Sequence, residues 1–163
     1  MFVLKKFMMN LRYFFYKNAT RCIRKLQSLL GLKTLGSRAI ILNHNHQILL
    51  VKHTYQPHWY LPGGGVKKGE SAKEAIIREL KEEVGIIPTE EPQLFGIYFH
   101  TYMGVYDYPI IFIIKNFTSA KAYSPEIEQM AWYDYHKLPD MVSPGTKRRL
   151  DEYFAQNTKS DRW

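Results

Sequence analysis

The stretch SAKEAIIRELKEEVG, residues 71 to 85, constrains this chain more than any other, because it reads as a helix that sets three carboxylates side by side. Ser71 followed three residues later by Glu74 is a capping-box start, and Gly85 is a stop signal. At about 100° per residue, Glu79, Glu82 and Glu83 share one sector, since positions three and four apart are neighbours on a helix surface. Like charges so placed repel by about 0.2–0.5 kcal/mol per pair. Ile76, Ile77, Leu80 and Val84 form the adjacent sector, which can face a core. Ala72 and Ala75 lie one turn before the acids and are small enough to let a ligand or a loop approach. The acidic cluster is therefore either a solvated face balanced by neighbouring lysines or the seat of a cation. Hard divalent ions such as Mg²⁺ and Mn²⁺ take oxygen ligands and commonly bridge carboxylates and substrate phosphates.

The segment just before the helix, TYQPHWYLPGGGVKKGE, reads as a loop dense in Pro and Gly. Gly63, Gly64 and Gly65 tolerate unusual dihedrals and can bring backbone N–H groups close to an anion. Taken together, GGVKKGESAKEAIIRELKEEVGI, residues 64 to 86, resembles the Nudix box of the Nudix hydrolases. Gly64, Glu70, Arg78, Glu79, Leu80, Glu82, Glu83, Gly85 and Ile86 fill every specified position of that pattern without a gap. The lead-in Trp59-Tyr60-Leu61-Pro62 and the strands before it are also similar to the family, so the resemblance spans about residues 37 to 157.

What the resemblance implies is specific. The fold would be an α/β/α sandwich with a mixed β-sheet, an α/β (α+β) class that the interspersed strands and helices independently support. The activity would be a metal-dependent attack of water on the pyrophosphate of a nucleoside diphosphate linked to another group, X. By resemblance, Glu79, Glu82 and Glu83 bind Mg²⁺ or Mn²⁺, Glu70 supports the site or binds a further ion, and Arg78 pairs with a box glutamate. The proton acceptor lies in the box helix in some members and in a downstream loop in others; Glu126 and Glu128, in SPEIEQMAWYDY, are the downstream candidates. Two alternatives stay open: a nucleotide-sensing domain without hydrolysis, and an RNA 5′-end pyrophosphohydrolase. The substrate is expected to be a small nucleotide, with a homodimer as a further partner suggested by the wider family.

Charge divides the chain. The net charge is +8, and residues 1 to 34 contain Lys5, Lys6, Arg12, Lys17, Arg21, Arg24, Lys25 and Lys33 with no acid, whereas 15 basic and 15 acidic residues follow. Apolar residues at 4, 8, 11, 15, 19, 22, 26 and 30 repeat at helical spacing, predicting a basic amphipathic helix. The expected division is thus residues 1–34 as an N-terminal helical segment and 35–163 as the hydrolase domain. The segment can pack on its own domain or a second copy, rest on an anionic membrane surface, or contact nucleic acid or serve as a transit peptide. No uncharged run approaches the roughly 18 residues of a spanning helix. A lone cysteine, Cys22, rules out an internal disulfide. A cytoplasmic location, membrane-peripheral if the basic helix rests on a bilayer, is the resulting expectation.

Elsewhere, RAIILNHNHQILLVKH predicts two strands around a polar turn at about 43 to 46, with His44 and His46 as turn residues. QLFGIYFHTYM and YPIIFIIKNF predict two strands around a turn near 104 to 107, and MAWYDY a short one. Pro144 opens a last helix, about 144 to 156, with Leu150, Tyr153 and Phe154 on its apolar side. Trp59 and Tyr60 could stack on a base or pack beside the glycines. Tyr102 sits where members of that family acting on dinucleoside polyphosphates often carry a tyrosine, or is one of 12 tyrosines that falls there by chance or packs in the core. Ser143, Thr146, Lys147 and Arg148 either approach the substrate or simply start the last helix.

Overall fold

A computed structural model describes residues 25–26, 29–102, 104–122 and 124–163. The predicted basic helix at the N-terminus lies almost wholly outside the described residues. No described helix is long and apolar enough to cross a membrane.

Strand β1 (Lys33–Ile41) runs parallel to β8 (Val105–Ile114) over nine residue pairs, from Lys33 opposite Tyr106 to Ile41 opposite Ile114. The rest of this sheet is antiparallel: β4 (Gly63–Gly65) flanks β1, while β6 (Gln93–Ile97) and β7 (His100–Tyr102) flank β8. A second sheet places β2 (Ile48–His53) between β10 (Ile127–Tyr133) and the two-residue β3 (Trp59–Tyr60). Strands β5 (Ile86–Pro88) and β9 (Phe117–Ser119) pair with each other. The sheet is therefore mixed, as expected.

Alternation along the strands builds two cores. Ala39 and Ile41, Leu49 and Val51, and Phe112 and Ile114 point to one side, where Ile76, Leu80 and Val84 of helix α1 (Ala72–Val84) cover them. Ile40 and Leu42, Ile48 and Leu50, and Ile111 point to the other, where Leu150 of helix α2 (Pro144–Phe154) covers them. A period of two along the strands thus yields helix, sheets and helix in layers.

Local signals set the ends of α1. The Ser71 side chain accepts the Glu74 N–H, the Glu74 side chain accepts the Ser71 N–H, and Gly85 closes the helix at φ 68°. Several expectations are corrected. Ile77 is 38% exposed, because it falls at the edge of the arc that Ile76, Leu80 and Val84 bury. Ala75 is fully buried, and Ser37 donates its hydroxyl to the Ala72 carbonyl at 2.7 Å, so it is strand β1 that comes close to the small residues. Residues 54 to 70, expected to be a loop, hold two short strands, β3 and β4. Glycine is needed at position 63 because a Cβ there would lie 2.2 Å from the Ser37 carbonyl oxygen. The strand predicted over QLFGIYFHTYM splits into β6 and β7, β8 begins at Val105, and β10 starts at Ile127.

The chain after α2 folds back as a strap. Phe99 N–H donates to Asp161 O and Trp163 N–H to Phe99 O. Beneath it Arg149, 0% exposed, donates to Glu152 at 2.6 Å and to the Arg162 carbonyl at 2.9 Å.

Candidate active site

The second half of α1, strand β4 and the start of β1 open onto a cleft of about 1040 Å³. Glu70, Glu79, Glu82 and Glu83 all line it, together with Gly63, Gly64 and Gly65. Arg38, Lys33, Lys67 and Lys68 also line it, and Glu126 enters from the segment before β10. An acidic floor with a basic rim is what a metal-bridged polyphosphate would need.

Arg78 organises the floor. Its guanidinium donates to Glu70 at 2.7 and 3.0 Å, to Glu79 at 2.5 Å, to Glu82 at 3.4 Å and to the Gly65 carbonyl at 3.2 Å. With the Lys67 N–H, it holds the Glu70 carboxyl down to about 2. Glu79 lies so close to Gly64 that a Cβ on that glycine would stand 2.5 Å from the carboxylate carbon. Only glycine leaves that space open.

Glu83 is different. It points between α1 and the strands, where its Oε2 accepts the Gly63 N–H at 2.9 Å. Burial pushes its carboxyl up to about 7, against the opposing pull of Gly63 and Arg38. Arg38 itself is committed to carbonyls, donating to Leu61 O at 3.0 Å and Gly63 O at 3.3 Å. The Gly63 N–H is therefore already used by a carboxylate of the protein.

The donor chemistry fits a hard divalent cation: carboxylate oxygens dominate, and one guanidinium meets three of the four box glutamates. Among the described residues no three carboxylates yet converge on one point, because Arg78 draws Glu70, Glu79 and Glu82 to itself.

The raised Glu83 value has a testable consequence in the metal-free protein. Below pH 4.5 both folded and unfolded chains hold this proton; between 4.5 and about 7 only the folded chain keeps it, so stability falls as pH rises and the loss is complete above the folded value. Glu83→Gln keeps an acceptor for Gly63 and removes the titration. Thermal melts in EDTA should show the variant more stable than the parent near pH 8, by on the order of 3 kcal/mol at most, and the two alike near pH 4. Equal melting at both pH values would refute the buried charge.

Of the two downstream acids, Glu126 lines the cleft and its Oε2 accepts the Tyr55 hydroxyl at 3.0 Å. Glu128 does not line it and lies 4.0 Å from Lys52. A register shift between Ile127 and Gln129 separates them; without it, residues two apart on a strand would share a face. Trp59 is in the second core, edge-on to Tyr133 at 5.2 Å, whereas half-buried Tyr60 packs near His53. Ser143 caps α2 by accepting the Thr146 N–H, and the Thr146 hydroxyl accepts the Leu61 N–H at 3.3 Å; neither they nor Lys147 and Arg148 line the cleft. Tyr102 falls on β7, opposite Val105.

Sequence reasoning passed over Arg38, His53 and Tyr55. His53 is 6% exposed, its Nδ1 has no hydrogen-bond partner among the described residues, and burial together with Arg38 lowers its imidazole to about 4. The available signal was a charged residue inside SRAIIL and a polar one ending ILLVKH, where an apolar strand pays for a polar side chain only if something meets it.

Comparison with known proteins agrees with this geometry. The chain matches the NUDIX domain family over residues 32–154, and it belongs to that family. It is a Nudix hydrolase. A Bacillus subtilis protein named "Putative 8-oxo-dGTP diphosphatase" is 34% identical over 127 residues, which cover 74% of this chain and 79% of that protein. An RNA pyrophosphohydrolase of Psychromonas ingrahamii is 49% identical over only 49 residues, 30% of this chain and 27% of that one. The crystal structure of a MutT NUDIX hydrolase from Burkholderia pseudomallei superposes with a TM-score of 0.65 at 26% identity, covering 73% of this chain and 96% of that chain. Hydrolases of this family generally need a divalent metal.

Proposed function

We propose that the protein is a pyrophosphohydrolase that uses Mg²⁺ or Mn²⁺ to cleave the diphosphate linkage of a nucleoside diphosphate joined to X. The observation that carries this reading is the convergence of Glu70, Glu79, Glu82, Glu83 and Glu126 on one cleft rimmed by Arg38, Lys33, Lys67 and Lys68. Glu79, Glu82 and Glu83 would hold the metal. Bound there, it would neutralise charge on the phosphate oxygens and acidify water.

The other steps belong to the chain. The basic rim attracts the polyphosphate and balances its charge. Arg78 keeps Glu79 and Glu70 in place, so the carboxylates need little reorganisation during the reaction. Glu126 takes the proton of the attacking water as its oxygen bonds to phosphorus, the P–O anhydride bond breaks, and the leaving phosphate departs with the electron pair. Glu126 suits this role because the box glutamates are engaged by Arg78 and Gly63. The similarity to the RNA-acting relative extends over a short stretch only, which favours a small nucleotide. A cytoplasmic location accords with such a substrate.

Phosphorus NMR of the purified chain with Mg²⁺ would test the reading, using nucleoside triphosphates, 8-oxo-dGTP, nucleotide sugars, ADP-ribose, dinucleoside polyphosphates and 5′-triphosphate RNA. Cleavage of one small-nucleotide class, lost in Glu82→Gln, is expected and would identify X. Binding without cleavage in either metal would replace the enzyme by a nucleotide sensor.

A further inference from the structure

Glu126 stands immediately before β10, and β2 with the loop after it builds its setting. The Glu126 carbonyl accepts the Thr54 N–H at 2.9 Å, and the next residue, Ile127, pairs with His53. These contacts anchor the backbone of Glu126 but leave its side-chain torsions free. What holds the carboxylate is the Tyr55 hydroxyl, donating to Oε2 at 3.0 Å across 71 residues of sequence. Oε1 has no hydrogen bond among the described residues. Tyr55 is steadied in turn by its ring, which stacks on buried His53 with centroids 5.1 Å apart and planes 25° apart. The sequence His53, Thr54, Tyr55 thus supplies a strand pair, a backbone clamp and a side-chain clamp in succession, all on the segment that carries Glu126.

We propose that Tyr55 is a positioning residue that holds the Glu126 carboxylate over the cleft, occupying one oxygen and leaving the other to receive the proton. This rests on the reading of Glu126 as proton acceptor. A glutamate on an exposed segment samples several rotamers. A hydroxyl donor fixed by a stacked ring selects one of them, and correct placement of a general base governs its effectiveness. Tyr55 need not touch the substrate to do this.

The test is a double-mutant cycle in the full chain, with Mg²⁺ and with 8-oxo-dGTP, ADP-ribose and dGTP assayed in turn. Tyr55→Phe keeps the ring on His53 and removes only the hydroxyl. For whichever nucleotide is cleaved, kcat should fall about tenfold with KM unchanged, as expected for a hydrogen bond to a charged group that acts through the chemical step. Adding Tyr55→Phe to Glu126→Gln should cost nothing further. Equal losses in both backgrounds, a rise in KM at unchanged kcat, or full activity of Tyr55→Phe beside an inactive Glu126→Gln would each overturn the positioning role alone. Full activity of Glu126→Gln, or cleavage neither of these three nucleotides nor of any other in the phosphorus-NMR panel, would overturn it together with the proton-acceptor reading.

Discussion

Glu82→Gln is expected to lower metal-dependent hydrolysis by about a thousandfold or more while leaving the folded protein intact. Glu82 is the right box position for this test. Its side chain is 57% exposed and its contact to Arg78 is long, at 3.4 Å, so little of the fold depends on it. Glu79 is less suitable, because it bonds Arg78 at 2.5 Å and sits against Gly64, so its loss would also disturb β4. A circular-dichroism melt matching that of the parent, a weakened thermal shift on adding Mg²⁺ and loss of product in a phosphorus assay form the expected set. Turnover near the parent rate in a folded variant would remove Glu82 from the metal site.

The second large effect concerns stability. Glu152→Ala should destabilise the protein by about 3–5 kcal/mol, the usual consequence of leaving a buried charge without its partner. Arg149 has no access to solvent, and its guanidinium lies 3.8 Å from the Tyr98 ring centroid, stacked beneath the strap that ends at Trp163. Glu152 compensates that charge and also accepts from Tyr98 at 3.0 Å and from the Ser160 N–H at 3.0 Å. Removing it strands all three donors. Urea unfolding should show the drop, whereas the double change Arg149→Met with Glu152→Leu should lose less, since neither charge then stays buried. None of these residues lines the cleft, so kcat of the folded fraction should be unchanged. A Glu152→Ala midpoint equal to the parent's would show that Arg149 finds water or another acceptor.

Glu82 and the Arg149–Glu152 pair are encoded in the chain in different ways. Glu82 could be selected from the spacing of glutamates on α1, whose caps, Ser71 with Glu74 and Gly85, are local and readable in order along the chain. The same holds for the N-cap Ser143 and the start of α2 at Pro144. The Arg149–Glu152 network has no such signal. Its neighbours Tyr98, Ser160 and Trp163 arrive from separate parts of the chain, and residues 156 to 163 are polar enough to read as a solvated end. Similarly, Gly63, Gly64 and Gly65 read as loop residues, and only the approach of Ser37 shows why a strand there must be made of glycine.

From the sequence alone came the spacing that places four glutamates and Arg78 on and beside one helix, the ends of that helix and the family to which they point. These follow from helix geometry, in which residues three and four apart must be neighbours whatever the rest of the chain does. Tertiary structure decided that Glu83 is half-buried while Glu82 is exposed, that Arg38 and His53 enter the cleft, and that Glu126 rather than Glu128 faces it. Each depends on which strands pair and in what register: β1 beside β8 across about seventy residues, and β10 on β2 with one bulge. Register is chosen by the packing of the whole core, so no local window of sequence contains it.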